Sequence, residues 1–397
     1  MDRSGKFLAA LFGFFLTAAP LFAQTVVATI PVGQRPQAIA LAPDGKRAYV
    51  GNSASDTVSV IDLTERKVIA TVNVGRAVRG IAVTPDGERI FAASSGANGV
   101  SVIDGTSHKV IATISGMLRP LGLTMEPEGR HEWAKTPRLY VTQSGGRSLS
   151  VVDTKSLEVR DTLGVGVNPF MAAVSPDLKT LYVSNTFSGE VSVVDVTREM
   201  GAMTNGSVGT IPVGLAPQAI AAAPDGKKVL VNNSGDLSVT AIDAEKRAVI
   251  ATIPFLTEGQ KAKLERNDEG IFPMAGLQIT PDSRWALSAV GVLDVVAVIY
   301  MPALKLADLI RVGREPHGIA ISLDGKFAYV TNSGSNDVSV IELGEKFQEE
   351  EEREKEREKE KEREKEKERE KEKEKEKEKE EAPRLPGGLS TGPKAIK

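Results

Sequence analysis

One motif, written seven times, constrains this chain more than any other feature. Its last complete copy, residues 314–342, reads REPHGIAISLDGKFAYVTNSGSNDVSVIE. Residues 318–322 alternate apolar and small side chains, residues 323–325 form a turn, and residues 327–331 alternate again. A polar loop over residues 332–336 leads to a third strand at residues 338–341, while residues 306–312 supply a strand that leads in. The turn acid recurs at Asp44, Asp86, Glu128, Asp177, Asp225, Asp282 and Asp324, at spacings of 42, 42, 49, 48, 57 and 42 residues. A second mark keeps step with it at the end of the third strand: Asp62, Asp104, Asp153, Asp195, Asp243, Tyr300 and Glu342. Seven copies of a four-strand unit of this length predict an all-β, seven-bladed propeller of antiparallel blades.

The turns have a local physical reason. In Pro43-Asp44-Gly45, Pro85-Asp86-Gly87 and Pro224-Asp225-Gly226, proline presets φ, aspartate bonds the backbone ahead, and glycine accepts the left-handed geometry. These acids are therefore turn caps, as are Asp62, Asp104 and Asp153. Spread one per blade, they do not converge on a metal or a substrate.

Strand order predicts how the ring closes. Residues 26–32 have the pattern of a fourth strand with no first three before them, and residues 338–341 form a third strand with no fourth after them. The N-terminal strand is expected to complete the last blade and remove an exposed edge.

Tyr329-Val330-Thr331-Asn332, with Tyr49-Val50-Gly51-Asn52, Tyr140-Val141-Thr142 and Tyr182-Val183-Ser184-Asn185, resembles the YVTN family of β-propeller repeat proteins over about residues 25–344. That resemblance implies a bacterial surface-layer or periplasmic propeller that binds or scaffolds. More distantly it is similar to propeller lactonases and to the propeller domains of quinone- or haem-dependent dehydrogenases. Blade six departs most, with Trp285-Ala286-Leu287-Ser288 in place of the signature and Tyr300 in place of the acid.

The ends of the chain are of other kinds. Arg3 and Lys6 precede an apolar run at residues 7–18, with Ala23 before the expected cut, which reads as a secretory signal peptide over residues 1–23, an uncleaved anchor being the alternative. No membrane span is expected once it is removed. The sequence has no Cys, so it offers no disulfide, thiolate nucleophile or tethered haem. Residues 349–381 hold 19 Glu against 14 Lys or Arg in near-strict alternation, a disordered or partly helical charged tail without an apolar face, and residues 382–397 are Pro- and Gly-rich and expected to be disordered. The propeller domain, residues 24–348, carries 31 basic and 33 acidic residues, so any anion preference must be local. Few aromatics and this balance disfavour nucleic acid as a partner.

Three insertions break the period. Residues 258–270 are expected to form a helical turn or two ended by Gly270, a lid over the channel mouth. Residues 130–137 and 199–207 fall on the opposite face, in blades three and four. A search for chemistry returns three separated histidines, His108, His131 and His317, with no metal-ligand spacing, nucleophile elbow or phosphate loop. His131 beside Trp133 reads as loop packing.

One constellation remains, where the chain enters each innermost strand. The equivalent positions are Gln37, Arg79, Leu121, Phe170, Gln218, Met274 and His317, with Arg35, Arg76, Arg119 and Arg314 just behind. Guanidinium forks beside Gln37, Gln218 and His317 suit a carboxylate or phosphate, His317 contributing as an imidazolium if it is charged. The alternative is a set of solvated loop charges.

The sequence thus predicts an exported, monomeric, non-catalytic propeller in the periplasm or at the cell surface. It would bind an anionic small molecule or a protein partner, with no cofactor and no metal. A lactonase-like hydrolase using His317 and Arg314 and a structural envelope component are the alternatives.

Overall fold

The computed structural model describes residues 26–127, 136–197, 207–262, 264 and 274–343, together with Glu356, Lys359, Glu360 and Arg363. Residues 1–25, the expected signal peptide among them, together with Glu128, His131, Trp133, Gly270, most of the three insertions and most of the charged tail, lie outside the described residues. The chain divides into two units, Met1–Leu343 and Gly344–Lys397, and the four described residues of the second are helical. No helix among the described residues is long and apolar enough to cross a membrane.

The first unit is a ring of seven antiparallel four-stranded sheets. Blade one runs outward through Pro36–Leu41, Arg47–Asn52, Thr57–Asp62 and Lys67–Asn73. Blades two to six repeat that order from Val78, Pro120, Pro169, Pro217 and Leu277. Blade seven takes Pro316–Ile321, Phe327–Asn332 and Asp337–Glu342 from the C-terminal end and Val26–Pro31 from the N-terminal end, with Val26 opposite Ile341 and Pro31 opposite Asp337.

The repeated residues are the ones that make these sheets. Asp44 Oδ1 accepts from Lys46 N at 2.9 Å, Asp225 from Lys227 N at 2.9 Å and Asp324 from Lys326 N at 3.1 Å. Asp62 accepts from Thr64 N and Glu65 N, and Asp153 from Lys155 N and Ser156 N, each at 2.8 or 2.9 Å. These acids cap turns, as their spacing implied. Gly45 takes φ 67° and Gly87 φ 74° to complete theirs.

The tyrosine and asparagine of the signature do different work. Tyr49, 1% exposed, packs with Ile90 and Ile103 of the following blade. Tyr140 packs with Leu181 and Val194, Tyr182 with Val229 and Ile242, and Tyr329 with Ala48 and Ile61, so this column forms the apolar seam between neighbours. Removing such rings from water is the main favourable term holding one blade to the next. The asparagine stays within its own blade: Asn52 Nδ2 donates to Thr57 Oγ1 at 3.1 Å and Ser59 Oγ at 2.9 Å, and Asn332 Nδ2 to Asp337 Oδ1 at 2.6 Å and Ser339 Oγ at 2.9 Å.

Two further columns bind blade to blade. A hydroxyl just after the second strand donates to the carbonyl at the start of the next blade: Ser95 to Pro120 at 2.6 Å, Thr186 to Pro217 at 3.0 Å, Ser234 to Met274 at 2.7 Å and Ser333 to Pro36 at 2.6 Å. An arginine opening the second strand reaches the far end of the next blade's third strand. Arg47 donates to Gly105 O at 3.0 Å, Arg89 to Thr154 O at 2.5 Å and Arg138 to Val196 O at 2.9 Å. Arg138 is also bound through Nε to both Glu126 oxygens at 3.0 Å, with 0% and 3% of the two side chains exposed. Tyr140 completes this buried group with its hydroxyl 3.3 Å from Glu126 Oε1, and burial and then the Glu126 charge push its phenol pKa up.

Candidate functional site at the mouth of the ring

Six of the seven innermost strands start with a break in register. The irregularities fall between Pro36 and Ala38, Val78 and Gly80, Pro120 and Leu123, Pro169 and Ala172, Pro217 and Ile220, and Pro316 and Ile319. An extra residue there frees a side chain from the pleat, the usual means by which a sheet re-aims a group at its rim. Gln37, Arg79 and His317 stand at these bulges.

Blade six corrects one assignment. Leu277 pairs with Ser288 as Ile39 pairs with Val50 and Ile319 with Val330. The counterpart of Gln37 and His317 is therefore Ala275, two residues before Leu277, and not Met274. Met274 is 1% exposed and takes the proline position, its carbonyl accepting from Ser234 as that of Pro36 accepts from Ser333. The insertion before it had shifted the count by one.

Gln37, Arg79 and His317 come together at the junction of blades seven, one and two. His317 Nδ1 lies 2.8 Å from the Gln37 carbonyl oxygen. Burial first, then the Arg79 charge, with a smaller effect from Arg35, pushes the His317 pKa down to about 4 against the pull of that hydrogen bond. The ring is densely surrounded by protein yet keeps part of its surface open to solvent, as a group lining a narrow mouth does. His317 is thus neutral near pH 7, which replaces the imidazolium expectation. Because a carbonyl can only accept, Nδ1 carries the proton and Nε2 is left as an acceptor. Gln37 is 7% exposed and its Oε1 is buried with no hydrogen-bond partner among the described residues.

The other predicted residues divide. Gln218 is 8% exposed, and its backbone carbonyl accepts from Ser184. Arg35 and Arg119 take the left-handed position before the proline, both at φ 50°, whereas Arg76 and Arg314 precede it by one residue, so the four do not form a regular arc. Arg35 pairs with Glu315 at 3.7 Å with both side chains more than half exposed, a contact of little energetic weight. Arg314 Nη2 donates to Gly334 O at 2.8 Å. Arg76 and Arg119 are exposed, and their carbonyls accept from Gly96 N and Ser144 N. The charge at the centre of the site is that of Arg79, with Arg35 behind it.

The short helix Glu258–Lys261 follows Thr257, whose backbone N–H donates to Gln260 Oε1 at 2.9 Å, while Lys261 pairs with Glu258 at 2.8 Å. The rest of that insertion lies almost wholly outside the described residues. The arginine stitches and the Arg138–Glu126 pair escaped sequence reasoning. The arginine opening the second strand of blades one, two and three was their one visible signal.

This arrangement defines a seven-bladed β-propeller with a polar mouth. Among solved structures the chain is similar to Kuenenia stuttgartiensis hydrazine synthase, with a TM-score of 0.65 and 22% identity over 82% of this chain and 99% of that one. At that identity the likeness is one of fold. No family model and no curated protein matches the chain.

Proposed function

We propose that the protein is an exported, non-catalytic propeller of the YVTN type that binds an anionic ligand, or an anionic patch on a protein partner, at the mouth of the ring. Residues 1–23 direct it to the periplasm or cell surface, where it acts as a monomer. The observation that supports this reading is the junction of Arg79, neutral His317 and Gln37. The Arg79 charge acts on the His317 ring, whose Nδ1 is taken up by the Gln37 carbonyl and whose Nε2 is left as an acceptor. The favoured ligand therefore carries a carboxylate or phosphate that the Arg79 charge attracts, together with a hydroxyl donor for His317 Nε2.

A thermal-shift screen of the full chain with gluconate and tartrate, against acetate and glycerol as half-ligands, tests this, because a ligand of the native state raises its apparent stability. Arg79→Ala is expected to weaken binding by about 1.5–3 kcal/mol, and Arg79→Lys to fail as well, since an ammonium keeps the charge and loses the fork. His317→Phe removes the acceptor and is expected to erase the preference for hydroxylated acids. Binding indifferent to both positions but lost on altering residues 130–137 and 199–207 would move the site to the opposite face.

A further inference from the structure

The residue that ends each second strand fills the space between that blade and the loop before it. It is Asn52, Gln143, Asn185, Asn233 and Asn332 in blades one, three, four, five and seven, and Val290 in blade six. Each carboxamide nitrogen donates to a hydroxyl on its own third strand: Asn52 to Ser59, Asn185 to Ser192 at 2.8 Å, Asn233 to Thr240 at 2.8 Å and Gln143 to Ser150 at 2.9 Å. Val290 fills the place with apolar volume against Val295 and Ala297.

Blade two departs from all of these. Ser94 replaces the amide, and Gly99 replaces the Thr57 of blade one, while Ser101 keeps the hydroxyl that meets the amide elsewhere. Beside the shortened side chains lies a half-open pocket of about 230 Å³ lined by Asn73, Gly75, Ser94, Gly99, Ser101 and Val110, among others. Ser94 is 1% exposed and its Oγ has no hydrogen-bond partner among the described residues; Ser101 is 4% exposed. An apolar cavity of about 150 Å³ takes up benzene, so this volume suffices for a ring with a substituent. The walls offer hydroxyls where every amide-bearing blade places a carboxamide.

We infer that the blade-two cavity is a binding pocket for a small neutral primary carboxamide on an apolar body. Its NH₂ donates to Ser94 Oγ and Ser101 Oγ, as Asn52 donates within blade one. A carboxylate is disfavoured because no cation lines the pocket to offset the loss of its hydration. A hydrocarbon offers the unpartnered Ser94 hydroxyl neither a donor nor an acceptor. Arg79 is not among the residues lining this pocket, and the proposal does not rest on the one made for the mouth.

The experiment uses benzamide as the probe on the full chain, with benzoate and toluene as controls, read by two-dimensional amide NMR and by thermal shift. Benzamide is expected to give saturable shifts at Ser94, Gly99 and Ser101, and benzoate none. Ser101→Ala is expected to weaken binding about tenfold, the upper range of one neutral hydrogen bond. Ser94→Asn supplies the missing amide from within; it is expected to raise the melting temperature and abolish the benzamide response. No saturable shift at these residues, which would mean that the cavity holds only water, overturns the inference. So does an equal response to benzoate, or a benzamide response that survives in a folded Ser94→Asn variant.

Discussion

Arg138 and Glu126 meet inside blade three with both side chains sealed from solvent, and the same guanidinium reaches past that pair to the Val196 carbonyl of blade four. One residue therefore satisfies a buried carboxylate and fastens two blades. Breaking such a pair leaves a charge in a medium that solvates it poorly.

Arg138→Ala is accordingly expected to lower stability by about 3–5 kcal/mol. The double replacement Arg138→Met with Glu126→Leu removes both charges and keeps the volume, and is expected to recover most of that loss. Urea unfolding of the two variants beside the parent measures the difference.

The depressed pKa of His317 sets a pH dependence with a defined sign. Unfolded, the imidazole takes up its proton near pH 6.5; folded, only near about 4. Between those values the unfolded chain binds a proton that the folded chain refuses. The contribution is fully present above about pH 6.5 and declines as pH falls toward 4, by on the order of 3 kcal/mol. Comparing the parent with His317→Gln across that window isolates it, since the carboxylates titrate in both. Parallel curves would remove His317 from the account.

Deleting residues 25–32 is expected to lower the urea midpoint, because Asp337–Glu342 would lose its outer partner and present an open edge. Deleting residues 348–397 is expected to leave the midpoint unchanged, since all seven blades are four-stranded without them. Equal midpoints for the two truncations would refute the N-terminal strand's contribution.

Gly80, in the innermost strand of blade two, faces the innermost strand of blade three, and a methyl group there would overlap the Leu121 carbonyl oxygen. Gly80→Ala is expected to cost about 2 kcal/mol or more, the scale of overpacking in a close-packed interior. Gly164→Ala, on a fourth strand with open space around it, serves as the control.

What the sequence discloses here follows how local each interaction is. The Asp44 and Asp324 turns are legible because donor and acceptor lie two residues apart, and the tyrosine and asparagine columns because repetition marks them. The Arg47, Arg89 and Arg138 stitches are not, since their acceptors lie 58, 65 and 58 residues on, at backbone carbonyls that carry no side-chain signature. Gln37, Arg79 and His317 could be placed at one rim by strand order. The tautomer of His317 could not, for it depends on a carbonyl 280 residues away. Met274 was misplaced because the insertion before it hides the register. The vacancy beside Ser94 is visible only against the four asparagines and one glutamine that fill the same place in other blades.

The pairing of Val26–Pro31 with Asp337–Glu342 joins the first strand of the described ring to its last. On a chain delivered from its N-terminus, Val26–Pro31 waits without its native neighbour while some three hundred residues follow it. Blades one to six can form in order during that interval, each from contiguous chain, but blade seven needs both ends at once. The slowest contact is then set by the time of delivery, and one extended, partly apolar segment must be kept from pairing elsewhere until the remaining strand arrives.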